Sequence, residues 1–179
     1  MTRRPVIYEP ETRTYRVPLT RGYAATVDSI DADLAALTWT ALPSPNTVYA
    51  CRGIPLDNGK QTTIKLHRVI LALKLGRDLS EGEQVDHIDG DGLNNTRDNL
   101  RLATSAQNSA NRGKQSNNTS GFKGVSWNKP RGKWRAQIRV GGNQIHLGMF
   151  TSKDEAHAAY CEAAEEYFGE FANDGNATP

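Results

Sequence analysis

The feature that most constrains the fold is the segment at 85–108, whose sequence is VDHIDGDGLNNTRDNLRLATSAQN. Its Asp-Gly-Asp-Gly run at 89–92 predicts a tight turn, because Gly adopts positive φ without strain and Asp hydrogen-bonds nearby backbone amides. Residues 83–88 before the turn and 99–102 after it have the pattern of short strands. Thr104 is typical of a helix N-cap, since a hydroxyl oxygen satisfies free amides at a helix start. The segment therefore predicts a strand, a turn, a second strand and a helix.

Three side chains of this segment have the chemistry of a hydrolytic metal site. Asp86 and Asn108 supply a carboxylate and a carboxamide oxygen, which are hard ligands suited to Mg²⁺. A neutral imidazole beside such an ion, here His87, takes a proton from an attacking water near neutral pH. Adjacent strand residues point to opposite faces, so Asp86 and His87 act together only where the strand ends or bulges. The glycine-rich turn directly after them favours such an end.

The acidic turn has two other interpretations. An EF-hand calcium loop needs oxygen ligands at alternate positions. Counting from Asp86 places Ile88 at the third position, and counting from Asp89 places Leu93 at the fifth, so the calcium interpretation is disfavoured. A purely structural turn is the commoner meaning of Asp-Gly and Asn-Asn pairs in proteins, and this second interpretation stays open.

The charge along the chain is uneven, although the formal net charge is only +2. Residues 99–153 contain ten Lys or Arg and no acid, whereas residues 154–179 contain seven acids and no Lys or Arg. A basic middle predicts a phosphate-binding surface.

Cys51 and Cys161 form no Cys-x-x-Cys pair, which argues against a cysteine zinc site or a disulfide framework. The sequence has no apolar run that would span a bilayer and no signal-peptide pattern, so we expect a soluble intracellular protein.

The region before the central segment is predicted to be scaffold. We expect an irregular stretch at 1–17, a strand at 22–28 and a short helix at 31–37, capped by Asp31 with Leu34 and Leu37 on one face. Trp39 is predicted to lie in the core. Two hairpin strands at 47–52 and 62–66 follow, and then a helix at 67–75 with Val69, Ile70 and Leu73 inward and Gly76 at its end.

The region after the central segment predicts a basic sheet. Strands are expected at 122–128, 133–140 and 143–150. The expected apolar face carries Trp134, Ala136, Ile138, Val140, Ile145, Leu147 and Met149, and the expected basic face carries Lys133, Arg135, Gln137, Arg139, Gln144 and His146. A capping box of Ser152 and Glu155 then opens a helix whose small residues cover the apolar face, together with Tyr160 and Tyr167. A basic face without acids predicts nucleic-acid binding.

The motifs DHIDG at 86–90, NN at 94–95, DNLR at 98–101 and TSAQN at 104–108 resemble the HNH motif of phage homing-type endonucleases. That family has a ββα-metal site. The resemblance implies that Asp86 and Asn108 bind one divalent ion, Mg²⁺ or else Mn²⁺. It also implies that His87 is the general base and that Asn99 orients the loop carrying it.

The Leu-His-Arg sequence before this motif also resembles the family. It makes His67 and Arg68 candidate active-site contacts, with phosphate binding at the helix start as the function. A purely structural, capped histidine is the alternative role for His67.

The motifs GFKGV, GKWRAQIR, HLGMF and SKDEAHAAY resemble the plant ethylene-response-factor (APETALA-type) DNA-binding domain. In that family a three-stranded sheet lies in the major groove. The resemblance implies DNA contacts by Lys123, Arg135 and Arg139, with Trp134 in support, and the basic face adds Lys133 and His146. Ser126 and His146 depart from the family pattern, so the family's sequence preference does not carry over.

These observations predict an α+β protein in which a ββα-metal (HNH) nuclease domain precedes a three-stranded antiparallel sheet packed on one helix. The expected domains are a β-rich scaffold at 1–62, the nuclease at 63–112, a linker at 113–119, the DNA-binding domain at 120–173 and a tail at 174–179. The expected activity is metal-dependent hydrolysis of duplex DNA in the cytoplasm of a bacterial or phage-infected cell. A monomer is favoured, and a dimer is the open alternative. The alternatives are a non-catalytic DNA-binding regulator with a vestigial nuclease domain and, less favoured, an RNA-binding protein.

Overall fold

The structure is a computed structural model that describes residues 5–115 and 117–175. The chain divides into two compact units, one ending at Leu102 and the other beginning at Ala103. Both units contain helices and sheets, and the second contains a three-stranded antiparallel sheet with a helix. The predicted α+β class is therefore confirmed.

Unit 1 contains two three-stranded antiparallel sheets, the strand pair of the central segment and two helices. In chain order its elements are β1 (Ile7–Glu9), β2 (Thr14–Pro18), β3 (Ala24–Asp28), α1 (Ala32–Ala35), β4 (Thr40–Pro43), β5 (Val48–Pro55), β6 (Gln61–Lys65), α2 (Leu66–Leu75), β7 (Gln84–His87) and β8 (Leu100–Ala103). The first sheet has the order β1-β2-β3, the second has the order β4-β5-β6, and β7 pairs with β8.

The core of unit 1 joins these elements into one cluster. Trp39 is only 2% exposed, as predicted, and its indole Nε1 donates to the Leu34 carbonyl at 2.8 Å. Val27 of β3 and Ile70 of α2 are fully buried in the same cluster, as is Leu100 of β8. Because the strand pair of the central segment adds its apolar side chains to this core, the polar turn between those strands is anchored to the rest of the unit.

Several predictions for unit 1 are wrong in detail. Residues 1–17 are not irregular throughout, because β1 and β2 form a hairpin in which Tyr8 and Tyr15 pack with ring centroids 5.1 Å apart. The predicted helix at 31–37 is only α1, and Asp31 does not cap it with its side chain. The Asp31 carboxylate instead accepts two hydrogen bonds from the Arg97 guanidinium. Leu37 is exposed rather than inward.

Helix α2 ends as predicted, since Gly76 has φ +66° in the left-handed region. Its buried stripe is rotated relative to the prediction: Leu66, His67, Ile70 and Leu71 are buried, whereas Leu73 is 53% exposed. The pairs at 66/70 and 67/71 share this buried side because residues four apart lie on the same side of a helix.

Unit 2 contains one short helix, a three-stranded antiparallel sheet and one long helix. Its elements are α3 (Ser105–Ala110), β9 (Val125–Asn128), β10 (Lys133–Val140), β11 (Asn143–Phe150) and α4 (Lys153–Phe168). The sheet has β10 in the centre. Both predicted N-caps are present: Thr104 and Gln107 form a capping box on α3, and Ser152 and Glu155 form one on α4.

Lys123 ties unit 2 together from inside. Its ammonium donates to the Ala110 carbonyl at 2.6 Å and to the Asn173 carbonyl at 3.0 Å. Burial lowers the pKa of Lys123 to about 8. The side chain therefore links α3 and the C-terminal segment to the sheet, which explains why α3 packs within unit 2 although composition places the linker later, at 113–119.

A one-residue bulge changes which side chains of β11 face the helix. Ala136 pairs with Gly148 but Gln137 pairs with His146, so Leu147 is the extra residue. Beyond the bulge the alternation is reversed: Phe150 packs in the apolar cluster, and Met149 lies on the basic face. The predicted apolar position of Met149 is therefore wrong. Tyr167, predicted on the covered side of α4, is 45% exposed.

Gly124→Ala should destabilise unit 2. A Cβ there would lie 2.1 Å from the Tyr160 ring and 2.7 Å from the Gln137 carbonyl oxygen, and the residue has φ +72°. The left-handed backbone costs ~1–2 kcal/mol for a non-glycine residue, and overpacking adds ~1–3 kcal/mol. Gly121→Ala is the matched control, because Gly121 has φ +85° but its Cβ would meet no described atom within 4 Å. Thermal unfolding followed by circular dichroism should show the larger loss for Gly124→Ala, and equal losses would contradict the close packing.

Candidate functional site

The candidate active site lies at the end of β7, where Asp86 and His87 are both buried. Asp86 is 2% exposed and His87 is 6% exposed. The Asp86 Oδ2 atom accepts hydrogen bonds from Nε and Nη2 of Arg101 on β8, each at 2.8 Å. Because β7 ends at His87 and a turn follows at once, the structure has the strand end that cooperation of these two side chains requires.

The turn after His87 is held by a network around Asn99. The Asn99 amide nitrogen donates to Asp89 Oδ1 and to the Asn94 carbonyl, each at 2.8 Å. Its amide oxygen accepts from the Asp89 backbone N–H at 3.1 Å. The Asn94 side chain donates to the other Asp89 oxygen at 2.7 Å. One carboxamide thus fixes both ends of the turn, and the acidic residue beside it serves as an internal acceptor.

Unit 1 also holds this turn from outside. The Thr26 backbone of β3 bonds to the segment directly after the turn, accepting from Asn95 N–H and donating to the Leu93 carbonyl, each at 2.8 Å. The Gly92 backbone N–H donates to Thr47 Oγ1 at 2.8 Å. A Cβ at Gly92 would lie 2.6 Å from the Val48 carbonyl oxygen, so only glycine lets the turn approach β5 this closely.

His87 lies in a pocket of side chains from three elements. Its Nε2 is 3.5 Å from the Asn95 Oδ1 atom. The His67 ring meets it nearly edge-on with centroids 5.1 Å apart, and the Tyr49 ring is 6.0 Å away. Burial lowers the pKa of His87, against the opposing effect of the Asn95 hydrogen bond and the nearby carboxylates of Asp89 and Asp86. The imidazole is therefore neutral at neutral pH, which is the form that accepts a proton.

His67 is the second histidine of this cluster, and Tyr49 packs edge-on against it at 5.1 Å. Burial lowers the pKa of His67 well below its ordinary value, and the neighbouring His87, Lys65 and Arg68 add to this effect. Within the described residues, His67 Nδ1 is buried without a hydrogen-bond partner, an arrangement that costs stability. Sequence reasoning missed Tyr49, because an aromatic residue in an alternating strand carries no local signal of a site.

The Arg68 guanidinium is hydrogen-bonded to two backbone carbonyls. Its Nη1 donates to the Glu83 carbonyl at 2.7 Å, and its Nη2 donates to the Ser80 carbonyl at 3.4 Å. It thereby holds the loop that leads into β7.

Asn108 lies on α3 in unit 2, with its backbone N–H bonded to the Thr104 carbonyl at 3.0 Å.

The donor chemistry of the predicted ligands fits a hard divalent cation, because Asp86 and Asn108 offer a carboxylate and a carboxamide oxygen. Arg101 already engages one Asp86 oxygen, so a cation would share this carboxylate with the guanidinium. Within residues 5–115 and 117–175, no group of three or more His, Cys, Asp or Glu side chains forms a metal cluster. Among the same residues, no helix has the length and apolar character of a membrane span.

The basic face of unit 2 forms an open groove of about 480 Å³. Its lining residues are polar or basic apart from one methionine: Asn128, Arg131, Arg135, Gln137, Gln144, His146 and Met149. Arg135 Nη2 donates to Ser126 Oγ at 3.3 Å, and within the described part of the chain Arg135 Nε is buried without a partner. Because this nitrogen is buried, it does not offer its proton to a ligand in the groove, and a buried donor without an acceptor costs stability.

The other residues predicted to bind DNA lie at different depths. Lys133 and Arg139 are exposed on β10. Trp134 packs toward the apolar cluster and meets Trp127 edge-on with centroids 5.0 Å apart. The Lys123 ammonium is hydrogen-bonded to two backbone carbonyls and is therefore not presented to a ligand on this face.

Cys51 and Cys161 are free thiols.

Asn99→Asp should loosen the turn after His87. The substitution replaces the amide donor by a carboxylate oxygen facing Asp89, so two hydrogen bonds are lost and two negative charges meet. Leaving buried polar groups unsatisfied costs ~1–3 kcal/mol, and hydrogen exchange of the turn amides should accelerate. Asn58→Asp is the matched control, since its side chain only accepts a hydrogen bond from Lys60 N–H in an exposed turn. Unchanged exchange in Asn99→Asp would contradict the role of this carboxamide.

Comparison with known proteins supports both halves of this description. A family model described as HNH endonuclease matches residues 65–110, and one described as AP2 domain matches residues 120–170. No solved structure gives a significant match.

Two viral proteins are similar to this chain. Protein 3.8 of Escherichia phage T7 is 42% identical over 96 residues, which cover 52% of this chain and 77% of the phage protein. A protein of Acanthamoeba polyphaga mimivirus named as an uncharacterized HNH endonuclease is 37% identical over 119 residues, 66% of this chain. The match covers 59% of that protein, less than two thirds of its length. The chain therefore belongs to the same family as Protein 3.8 of phage T7 and carries an HNH endonuclease domain followed by an AP2 domain.

Proposed function

We propose that this protein is a divalent-metal-dependent endonuclease of the HNH homing type that hydrolyses phosphodiester bonds of duplex DNA. The observation that carries the proposal is the buried, neutral His87 at the end of β7, directly after the carboxylate of Asp86. A fixed neutral imidazole beside a hard oxygen donor is the arrangement that activation of water for hydrolysis needs.

His87 is the proposed general base, and its neighbours hold it in place. Asn95 bonds to its ring, while His67 and Tyr49 confine the ring from the sides. Asn99 acts one step further away, because it fixes the backbone of the turn that follows His87. These contacts restrict the base to one orientation before substrate arrives, which reduces the ordering required in the transition state.

Asp86 and Asn108 are the proposed ligands of the divalent ion. When bound, the ion supplies Lewis-acid polarisation of the phosphoryl group and stabilises charge on the leaving oxygen. Mg²⁺ is the proposed ion and Mn²⁺ the alternative. Arg101 holds the Asp86 carboxylate in position through its ion pair. The single HNH motif in the sequence favours a monomer that cuts one strand.

Unit 2 supplies the proposed DNA-binding surface. Lys133, Arg135, Arg139 and His146 lie along β10 and β11, with Trp134 supporting the sheet from its apolar side. Cationic side chains on one face bind phosphates regardless of sequence and release counterions. Both matched families act on DNA, which supports duplex DNA rather than RNA as the partner.

One observation favours a second candidate, a non-catalytic DNA-binding regulator with a vestigial nuclease domain. The Arg101 guanidinium occupies one oxygen of Asp86, and an arginine at that oxygen replaces part of the charge that a cation would supply. This candidate predicts that the protein binds duplex DNA equally tightly with and without a divalent ion and that it cleaves DNA with none of them.

His87→Ala should abolish cleavage and leave DNA affinity nearly unchanged. Removing a general base typically costs ~10²–10⁴-fold in rate, because the base acts in the transition state. Single-turnover cleavage with Mg²⁺ measures the rate, and fluorescence anisotropy in EDTA measures the affinity. His146→Ala is the converse control: it should weaken binding but keep the single-turnover rate at saturating DNA. Near wild-type cutting by His87→Ala would show that another group is the base.

Arg139→Ala and Arg135→Ala should weaken DNA binding and flatten its salt dependence. Each lost phosphate contact lowers the slope of log K against log salt by roughly 0.9. Lys153→Ala is the control, because the Lys153 ammonium lies over the Phe122 ring at 5.2 Å. Binding titrations from low to moderate salt compare the three variants. Equal slopes for all of them would exclude the sheet face as the phosphate-binding surface.

A further inference from the structure

The groove of unit 2 carries more amide side chains than phosphate binding requires. Asn128, Gln137 and Gln144 line it together with Arg131 and Arg135, and no acidic residue lines it in the described part of the chain. Phosphate binding is served by cations, whereas neutral amides add a donor and an acceptor at one fixed spacing. Such a pair recognises a partner that itself presents both.

Gln137 has the central position of the three, whereas the Asn128 side chain already accepts a hydrogen bond from the Arg131 backbone N–H. It lies between Arg135 and Arg139 on the middle strand, opposite His146 of β11. Its backbone N–H donates to the Gly124 carbonyl of the first-strand segment at 2.9 Å, and the bulge next to it fixes the register of β11. The Gln137 side chain is half-buried, so its direction is restricted before a ligand binds.

Alternate residues of β10, which share one face, are separated by about two base-pair steps. Residues two apart on a strand are ~6.8 Å apart, which is about twice the ~3.4 Å rise per base pair. Positions 135, 137 and 139 would therefore lie at different base-pair steps if the ribbon of β10 and β11 enters a major groove, which is wide enough to admit a two-stranded ribbon. A carboxamide in the major groove pairs with N6 and N7 of adenine, while a carboxylate pairs with N4 of cytosine.

The bulge also brings an apolar side chain to this face, and that side chain favours an A·T pair as well. It places Met149 on this face beside Arg135, so an apolar side chain projects into an otherwise polar groove. The thymine methyl group is the apolar feature of the major groove. An amide and a thioether in the same groove thus match A·T base pairs better than G·C pairs.

We propose that Gln137 reads an adenine in the major groove of duplex DNA, so that the sequence preferred by unit 2 has an A·T pair at its centre. This inference rests on the proposed DNA binding of the basic face. It assigns a specificity-determining role to Gln137, with Met149 contacting the methyl group of an adjacent thymine.

The test is selection of preferred sites by the full chain from a random duplex library in EDTA. The wild type should select a site with one invariant A·T pair, and replacing that pair by G·C should weaken binding ~5–150-fold. Gln137→Glu should change the selected base at that position to cytosine and leave the flanking positions unchanged. Gln137→Ala, which adds no charge, should accept all four bases there.

Gln115→Glu is the matched control, because Gln115 is exposed outside the sheet and the variant carries the same change of charge. It should select the wild-type site. Duplex RNA should compete more weakly than the selected DNA site, since the RNA major groove is too narrow for side chains to read its bases. A selected site without a central A·T pair, or an unchanged site with Gln137→Glu, would overturn the inference while leaving DNA binding intact. Absence of duplex binding at low salt would instead overturn the proposed function and this inference together.

Discussion

The candidate active site depends on the hydrogen bonds that Asn99 makes across the turn after His87. Its amide group reaches both the side chain and the backbone of Asp89 and also the Asn94 carbonyl. A turn of Asp, Gly and Asn has many conformations of similar free energy, and ordering it costs ~1–2 kcal/mol per residue. The Asn99 network, the backbone bonds to Thr26 and the Arg97 contacts to Asp28 and Asp31 offset this cost.

In unit 2, a single extra residue decides what the basic face presents. The bulge at Leu147 reverses the alternation of β11, so Phe150 enters the core while Met149 lies beside Arg135. A regular strand would have given the groove a phenylalanine and the core a methionine. Gly124 allows the close approach of the sheet to Tyr160 of α4, and Lys123 joins the same region to α3.

Much of this could be predicted from the sequence, because the signals are local. The turn at 89–92, the N-caps Thr104 and Ser152, the end of α2 at Gly76 and the three C-terminal strands each depend on residues within a few positions of one another. The features that were missed depend on contacts between distant residues. The bulge at Leu147 follows from pairing with β10, the use of Asp31 follows from Arg97 sixty-six positions later, and Tyr49 joins His67 and His87 only through the fold.

The same limit applies to the candidate site. The residue types at 86, 87 and 99 indicate metal-assisted hydrolysis, but the sequence does not show that Arg101 engages Asp86 or that His67 carries a buried ring nitrogen without a partner. These contacts are set by the pairing of β7 with β8 and by the packing of α2. They decide whether the site can accept a cation, and the nuclease proposal depends on that capacity.

The measurement that tests the central claim most directly is conversion of supercoiled plasmid by the purified full chain, with Mg²⁺, with Mn²⁺ and with EDTA. The proposal predicts nicked plasmid only in the presence of a divalent ion. Tight DNA binding with no cleavage under either ion would contradict the nuclease proposal and support the regulator.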